Sequence, residues 1–168
     1  MKHKVIDNFL QKEHFLNLKE FINSEEIPWY FRKVDTSDGT ENKNGFFNFC
    51  FYNDGAPRAK EYNSLIIPVL KKLNYLATIQ VRLNMVIRDL NTKSCGFHCD
   101  YDSEKSKTAI LFFTNCNSQT ILNYDNQMYN IESVENRILI FPSNVKHKVV
   151  YQTDVFKRFV INFNYFEV

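Results

Sequence analysis

His98 and Asp100 stand two residues apart, with His147 about fifty positions further on and Arg158 eleven beyond that. Residues i and i+2 at a strand end leave the same face, so an imidazole and a carboxylate can converge there on one ion. Two imidazoles and one carboxylate on a single face of an octahedron suit ferrous iron and leave three positions open. A chelating 2-oxoacid would take two of them and dioxygen the third. Cys99, between the pair, points the other way on a regular strand and is not expected to be a ligand.

The pair alone is a weak signal. With 4 His and 19 Asp plus Glu in 168 residues, composition supplies roughly 0.45 His-x-acid pairs by accident. His3 and His14 have no acid two residues on and read as surface or packing residues. His147 opens a strand after the turn at 142–148, where a lone histidine could equally be structural. Arg158 adds the fourth point. From it the chain alternates Arg158, Val160, Asn162 and Asn164 against Phe159, Ile161, Phe163 and Tyr165. One face is aromatic core and the other begins with a guanidinium. A buried arginine needs an anionic partner, and a dicarboxylate could supply it through a planar two-bond contact. A salt bridge to Asp154 would meet the same need. Lys157, on the aromatic face, is the rival for the carboxylate.

The remaining sequence must position these points. At 168 residues the chain fits one domain with its own core, divided as a helical support region over 1–75 and core strands over 76–168. Aromatic residues make up 15% of it, with 16 Phe and 9 Tyr, a composition suited to pleated strands. Apolar spacing predicts a helix over 11–23 and a second over 59–73, which Pro68 should kink or break near 64–67. Polar, glycine-punctuated residues 33–45 read as a loop or lid, and 101–107 as a second lid segment. Strict alternation over 79–85 sends Gln80, Arg82 and Asn84 to the face opposite the helices. A closed apolar sandwich has no place for Arg82 and Asn84, whereas a jelly roll with a wet interior does. Two helices followed by about eight short strands give an α+β, mainly β fold: a double-stranded β-helix with the N-terminal helices on one sheet.

Composition also excludes. A net charge of +2 argues against a dedicated nucleic-acid or membrane-surface binder. The first residues carry charge and no apolar run, and no window approaches a spanning helix. Cys50, Cys95, Cys99 and Cys116 lack paired spacing and read as free thiols in a reducing, cytoplasmic compartment.

At these residues the chain resembles the Fe(II)- and 2-oxoglutarate-dependent dioxygenases of the prolyl-4-hydroxylase-like branch, closest to small stand-alone members often encoded by bacteriophages. The likeness runs through Ile6-Asp7-Asn8-Phe9-Leu10, Pro28-Trp29-Tyr30, Arg82-Leu83-Asn84 and His98-x-Asp100. It continues through Thr108 to Asn115 and Glu135 to Phe141, and closes with His147 and Arg158 to Phe166. It implies His98, Asp100 and His147 as iron ligands and Arg158 as the contact to the distal carboxylate of 2-oxoglutarate. Asn162, Asn84 and an apolar wall at Leu122 would complete the co-substrate site. Fe(II), 2-oxoglutarate and O2 are the implied cofactors, with room for ascorbate as a reductant. The implied reaction hydroxylates an unactivated C–H, foremost on a peptidyl proline or another residue, and would have a phage-encoded member working in the host cytoplasm.

Departures from the family concern the co-substrate contacts and the substrate. Arg88 stands where many relatives place a tyrosine, Phe112 or Phe113 replaces another, and Ser118-Gln119 replaces a glycine pair. Arg82, Arg88 and Tyr101 are candidate contacts to a peptide, protein or small-molecule substrate. A nucleic-acid oxygenase is a second reading, although Asn162 and Asn164 stand where such relatives carry another arginine. A catalytically silent, cupin-like metal module is a third; such modules use His-x-His and a glutamate, patterns this chain lacks.

Overall fold

A computed structural model of the chain describes residues 3–34, 42–88, 90 and 94–168. The expected lid over 33–45 falls largely outside them. Among the described residues, eleven strands and two α-helices run in the order β1 (Lys4–Ile6), α1 (Lys12–Ile22), β2 (Tyr30–Val34), β3 (Asn42–Asn53), β4 (Ala56–Pro57), α2 (Ile67–Lys72), β5 (Tyr75–Ile87), β6 (Ser106–Phe112), β7 (Cys116–Tyr124), β8 (Gln127–Ser133), β9 (Ile138–Pro142), β10 (Lys146–Val150) and β11 (Lys157–Glu167). The larger sheet has the order β1-β9-β6-β11-β5-β3-β2, with β4 bonded to β3; the smaller is β10-β7-β8. This is the double-stranded β-helix expected from the strand pattern.

The alternation of β11 decides which surfaces meet. Ile161, Phe163 and Tyr165 are fully buried against Leu18 of α1, Ile66 and Leu70, together with Val81 and Leu83 of β5. Burying one such apolar side chain stabilises the fold by about 1.5–3 kcal/mol. Phe113 joins this core too, stacked on Phe15 with ring centroids 5.1 Å apart. The other face of β11 looks between the sheets. There Val160 packs with Ile110, Phe112, Leu122, Leu139 and Phe141 in a second core that fills one end of the space.

Local sequence explains the punctuation. Asp125 and Asn126 both adopt positive φ, 52° and 59°, between β7 and β8; short polar side chains tolerate this conformation and make a two-residue hairpin whose twist matches the strands. The break expected at 64–67 falls at Ile66/Ile67, where a π-helical stretch over Tyr62–Ile66 gives way to α2. Pro68 sits in the first turn of α2, where its missing N–H leaves no bond unmade. Residues 1–75 carry both α-helices together with β1 to β4, and Phe49 and Phe51 of the aromatic strand β3 enter the main core. No helix among the described residues is long and apolar enough to cross a membrane.

Candidate metal centre

Residues 94–98 run antiparallel beside β10, with bridges from Ser94 to Val150 and from His98 to His147. The two histidines exchange both backbone bonds: His98 N–H donates to His147 O at 3.0 Å and His147 N–H to His98 O at 2.8 Å. Directly opposed residues of such a pair put their side chains on the same face, and the imidazole centroids lie 4.4 Å apart. Each ring is oriented by its own chain. His98 Nδ1 lies 3.2 Å from Gly96 O and His147 Nδ1 lies 3.1 Å from Val145 O. A carbonyl can only accept, so Nδ1 carries the proton in both rings and Nε2 keeps its lone pair for a metal.

Asp100 completes the set. One ligand atom from each of His98, Asp100 and His147 lies within 4.8 Å of the others. The two carboxylate oxygens are treated differently. Oδ2 accepts from Thr108 Oγ1 at 2.9 Å, Asn164 Nδ2 at 2.9 Å and Asn162 Nδ2 at 3.2 Å. Oδ1 faces His147 Nε2 at 3.6 Å. Burial opposes ionisation of Asp100, yet His147, Asn164, His98 and Thr108 outweigh it and hold the carboxyl below its ordinary value. The His147 pKa is lowered too, but by burial, which prevails over the pull of Asp100. For His98, burial is again the largest influence, but Cys95, Asp100 and Gly96 together leave its pKa raised. The result is an ionised carboxylate with one free oxygen beside two aligned imidazoles, a donor set fit for a divalent first-row metal. Cys99 touches the cavity, but its thiol donates to Asn144 O at 3.1 Å and is not among the clustered ligand atoms.

The triad opens into a cavity of about 510 Å³ between the sheets. Arg158 lies in its wall, 1% exposed. Its Nε donates to Ser133 Oγ at 3.3 Å, its guanidinium carbon lies 5.5 Å from the Phe112 ring centroid, and Nη2 is buried without a partner among the described residues. Burial pulls its pKa down to about 10, so it stays cationic at neutral pH. Asp154 is not its partner; that carboxylate accepts from Asn117 N. Lys157 is exposed at the strand surface. A buried cation with an unused donor, in the same cavity as the triad, fits a small dicarboxylate.

Other expected site residues divide. Arg82, Asn84 and Tyr101 line the cavity, and Arg82 Nε and Asn84 Oδ1 are buried without partners. Asn162 also lines it, but its amide N–H donates to Asp100, leaving Oδ1 unpaired. Leu122 faces inward opposite His147 but is embedded in the second core; Thr120 reaches the cavity in its place. Arg88 does not line the cavity: it is exposed, with Nη1 donating to Thr153 O at 3.4 Å and its backbone N–H to Phe156 O. The sequence reading missed the roles of Thr108 and Asn164. The alternation of β11 already placed Asn164 inside, but not against Asp100.

No family model matches the sequence, and no curated protein matches it. Solved structures do. An oxidoreductase of the 2OG-Fe(II) oxygenase family from Burkholderia pseudomallei is similar over 98% of this chain and 85% of its own, with TM-score 0.76 and 8% identity. The fold is that of a 2OG-Fe(II) oxygenase. A non-heme alpha ketoglutarate dependent carbocyclase from nogalamycin biosynthesis, SnoK, is similar over 99% of this chain and 79% of its own, with TM-score 0.71 and 9% identity. A prolyl hydroxylase from Trichoplax adhaerens, solved with a hypoxia inducible factor oxygen degradation domain peptide fragment, is similar over 99% and 84%, with TM-score 0.61 and 17% identity. At these identities the likeness is one of fold, and function rests on the residues of the site.

Proposed function

We propose that the chain is a non-heme Fe(II)- and 2-oxoglutarate-dependent dioxygenase that hydroxylates an unactivated C–H, with a peptidyl prolyl or other residue as the substrate. The observation that carries the reading is the pairing of a convergent His98, Asp100 and His147 set with an unpaired, buried Arg158 in one cavity. A donor triad alone serves many metals. A buried guanidinium beside it calls for an anion that reaches the metal.

His98 and His147 would hold the iron through Nε2 and Asp100 through Oδ1, and Arg158 would pair with the far carboxylate of 2-oxoglutarate. The bound iron supplies oxidative decarboxylation of the 2-oxoacid coupled to oxygen insertion into the substrate. The protein's own part is orientation. Thr108, Asn162 and Asn164 fix the carboxylate rotamer, and the Gly96 and Val145 carbonyls keep the Nδ1 protons away from the metal side. Ile110 and Val160 of the second core give the cavity an apolar wall.

The peptide reading is supported by the prolyl hydroxylase neighbour, and the carbocyclase neighbour keeps a small-molecule substrate as its competitor. The test is succinate formation from 2-oxoglutarate with Fe(II), abolished by His98→Ala and by Arg158→Ala, followed by mass spectrometry for an added oxygen atom on proline-containing peptides. Metal binding without any 2-oxoglutarate turnover would overturn the enzymatic reading in favour of a silent metal module.

A further inference from the structure

Beside the cavity, an open groove of about 800 Å³ crosses β2 and β3. The two meet along the seam of β3 and β5: Asn48 and Cys50 line the groove, Asn84 and Arg82 line the cavity, and these residues are register partners. Four buried polar atoms near this seam have no partner among the described residues: the donors Asn48 Nδ2 and Arg82 Nε, and the acceptors Asn84 Oδ1 and Asn162 Oδ1. Unpaired buried groups of this kind are rare unless a ligand serves them. Among the described residues the charge around them is one-sided. Arg32, Lys33 and Arg58 line the groove with no carboxylate among its described lining residues, although Arg58 pairs with Asp54 outside it. The one carboxylate of the cavity, Asp100, is bonded elsewhere. Tyr30 and Phe31 are 64% and 55% exposed at the groove's outer end.

We infer that the groove takes an acidic peptide in extended form, with a carboxylate side chain seated on Arg82 and one peptide unit spanning Asn48 and Asn84. The inference rests on the oxygenase reading only for what lies at the inner end. A peptide unit offers one C=O and one N–H, which matches the unpaired donor of Asn48 and the unpaired acceptor of its register partner Asn84. A phosphodiester backbone offers acceptors alone and would leave the asparagine oxygens unserved. The exposed aromatic rings give the peptide an apolar resting surface.

The test uses the full chain loaded with Mn(II) and 2-oxoglutarate, and fluorescently labelled proline-containing peptides flanked by Asp/Glu, by Asn/Gln or by Lys. A labelled single-stranded oligonucleotide is the comparison. Acidic peptides should bind about tenfold tighter than their amide counterparts, the scale of one charge-assisted bond, and the preference should shrink with salt. Arg82→Gln should bring the preference within about twofold, and Arg82→Lys should restore part of it. Neither variant should lose 2-oxoglutarate binding to the extent that Arg158→Gln does. Asn48→Ala, which leaves the charge in place, should weaken all three peptide classes alike. Equal binding of acidic and amide peptides, a preference surviving Arg82→Gln, or an Arg82→Gln loss of 2-oxoglutarate binding as large as that of Arg158→Gln would each overturn the inference. Tighter, Arg82-dependent binding of the oligonucleotide would overturn the peptide assignment. Failure of the metal to bind, with acidic peptides still held through Arg82, would sink the oxygenase reading and uphold this one.

Discussion

His98 and His147 are each other's hydrogen-bonded strand partners, so the spacing of two candidate ligands is set by backbone bonds of 3.0 and 2.8 Å rather than by side-chain packing. Forty-nine positions of sequence separate them, yet neither can shift along its strand without breaking both bonds. This register carries the adjacent Asp100 with it, and the inner faces of β6 and β11 then hold that carboxylate.

The clamp on Asp100 Oδ2 should govern metal affinity more than stability. Asn164→Ala and Thr108→Val remove donors at 2.9 Å, and loss of such supporting bonds typically weakens a site by about 10–100-fold. Titration calorimetry with Mn(II) should show that loss in each variant, with His98 and His147 intact.

Replacing Arg158 should separate stability from binding. The guanidinium is fully enclosed with Nη2 unpaired, and exchanging buried charge for a well-packed apolar side chain often stabilises by about 1–4 kcal/mol. Arg158→Met should therefore raise the melting temperature of the ligand-free protein by a few degrees. It should also abolish the further rise that 2-oxoglutarate gives the metal-loaded form. A lower melting temperature would show that the Ser133 and Phe112 contacts already satisfy the cation.

Asp7 should shape the acid limb of stability. Its carboxylate binds Arg137 through 2.6 and 3.1 Å bonds, and that side-chain bond holds its pKa below the ordinary value. A carboxyl with a lower pKa in the folded state stabilises above its unfolded pKa, and this is lost as pH falls through the folded value. With the Asp7 side chain 57% exposed, the effect is at most about 1 kcal/mol. Urea unfolding of Asp7→Asn should match the unaltered protein below about pH 3 and fall short of it above about pH 5.

Asn136 should matter more than its position in a turn suggests. It adopts φ 59°, its amide exchanges two bonds of 2.9 Å with the backbone of Leu10, and its carbonyl accepts from Phe9 N–H. Asn136→Ala strands two buried backbone groups and strains the left-handed conformation, at a cost of about 2–4 kcal/mol. Asn136→Gly removes the bonds without the strain. Chemical denaturation should place it between alanine and the unaltered protein.

The parts of the site governed by strand periodicity were legible in the sequence. The alternation of β11 separated Arg158 from the aromatic core, and that of β5 sent Arg82 and Asn84 inward, because a two-residue period is a local property. Arg88 shows where the period runs out. It shares parity with Arg82, but β5 ends at Ile87, and the chain then bonds to residues 153 and 156. Leu122 was placed on the correct face yet at the wrong depth, since parity says nothing of how far the second core extends. The Asp100 clamp was invisible for another reason: it joins positions 100, 108, 162 and 164, a contact only the completed sheet creates.

The strand order carries a consequence for how the molecule is made. β11 lies between β5 and β6 at the middle of the larger sheet, although it is the last of the described elements in sequence. Until it arrives, β5 and β6 have no common neighbour, both cores are open, and Asp100 lacks two of its donors. Pairing so distant in sequence is slow and leaves unpaired edges exposed to association. Metal offered to the growing chain should find no finished site before this final strand docks, so assembly of the centre reports completion of the fold.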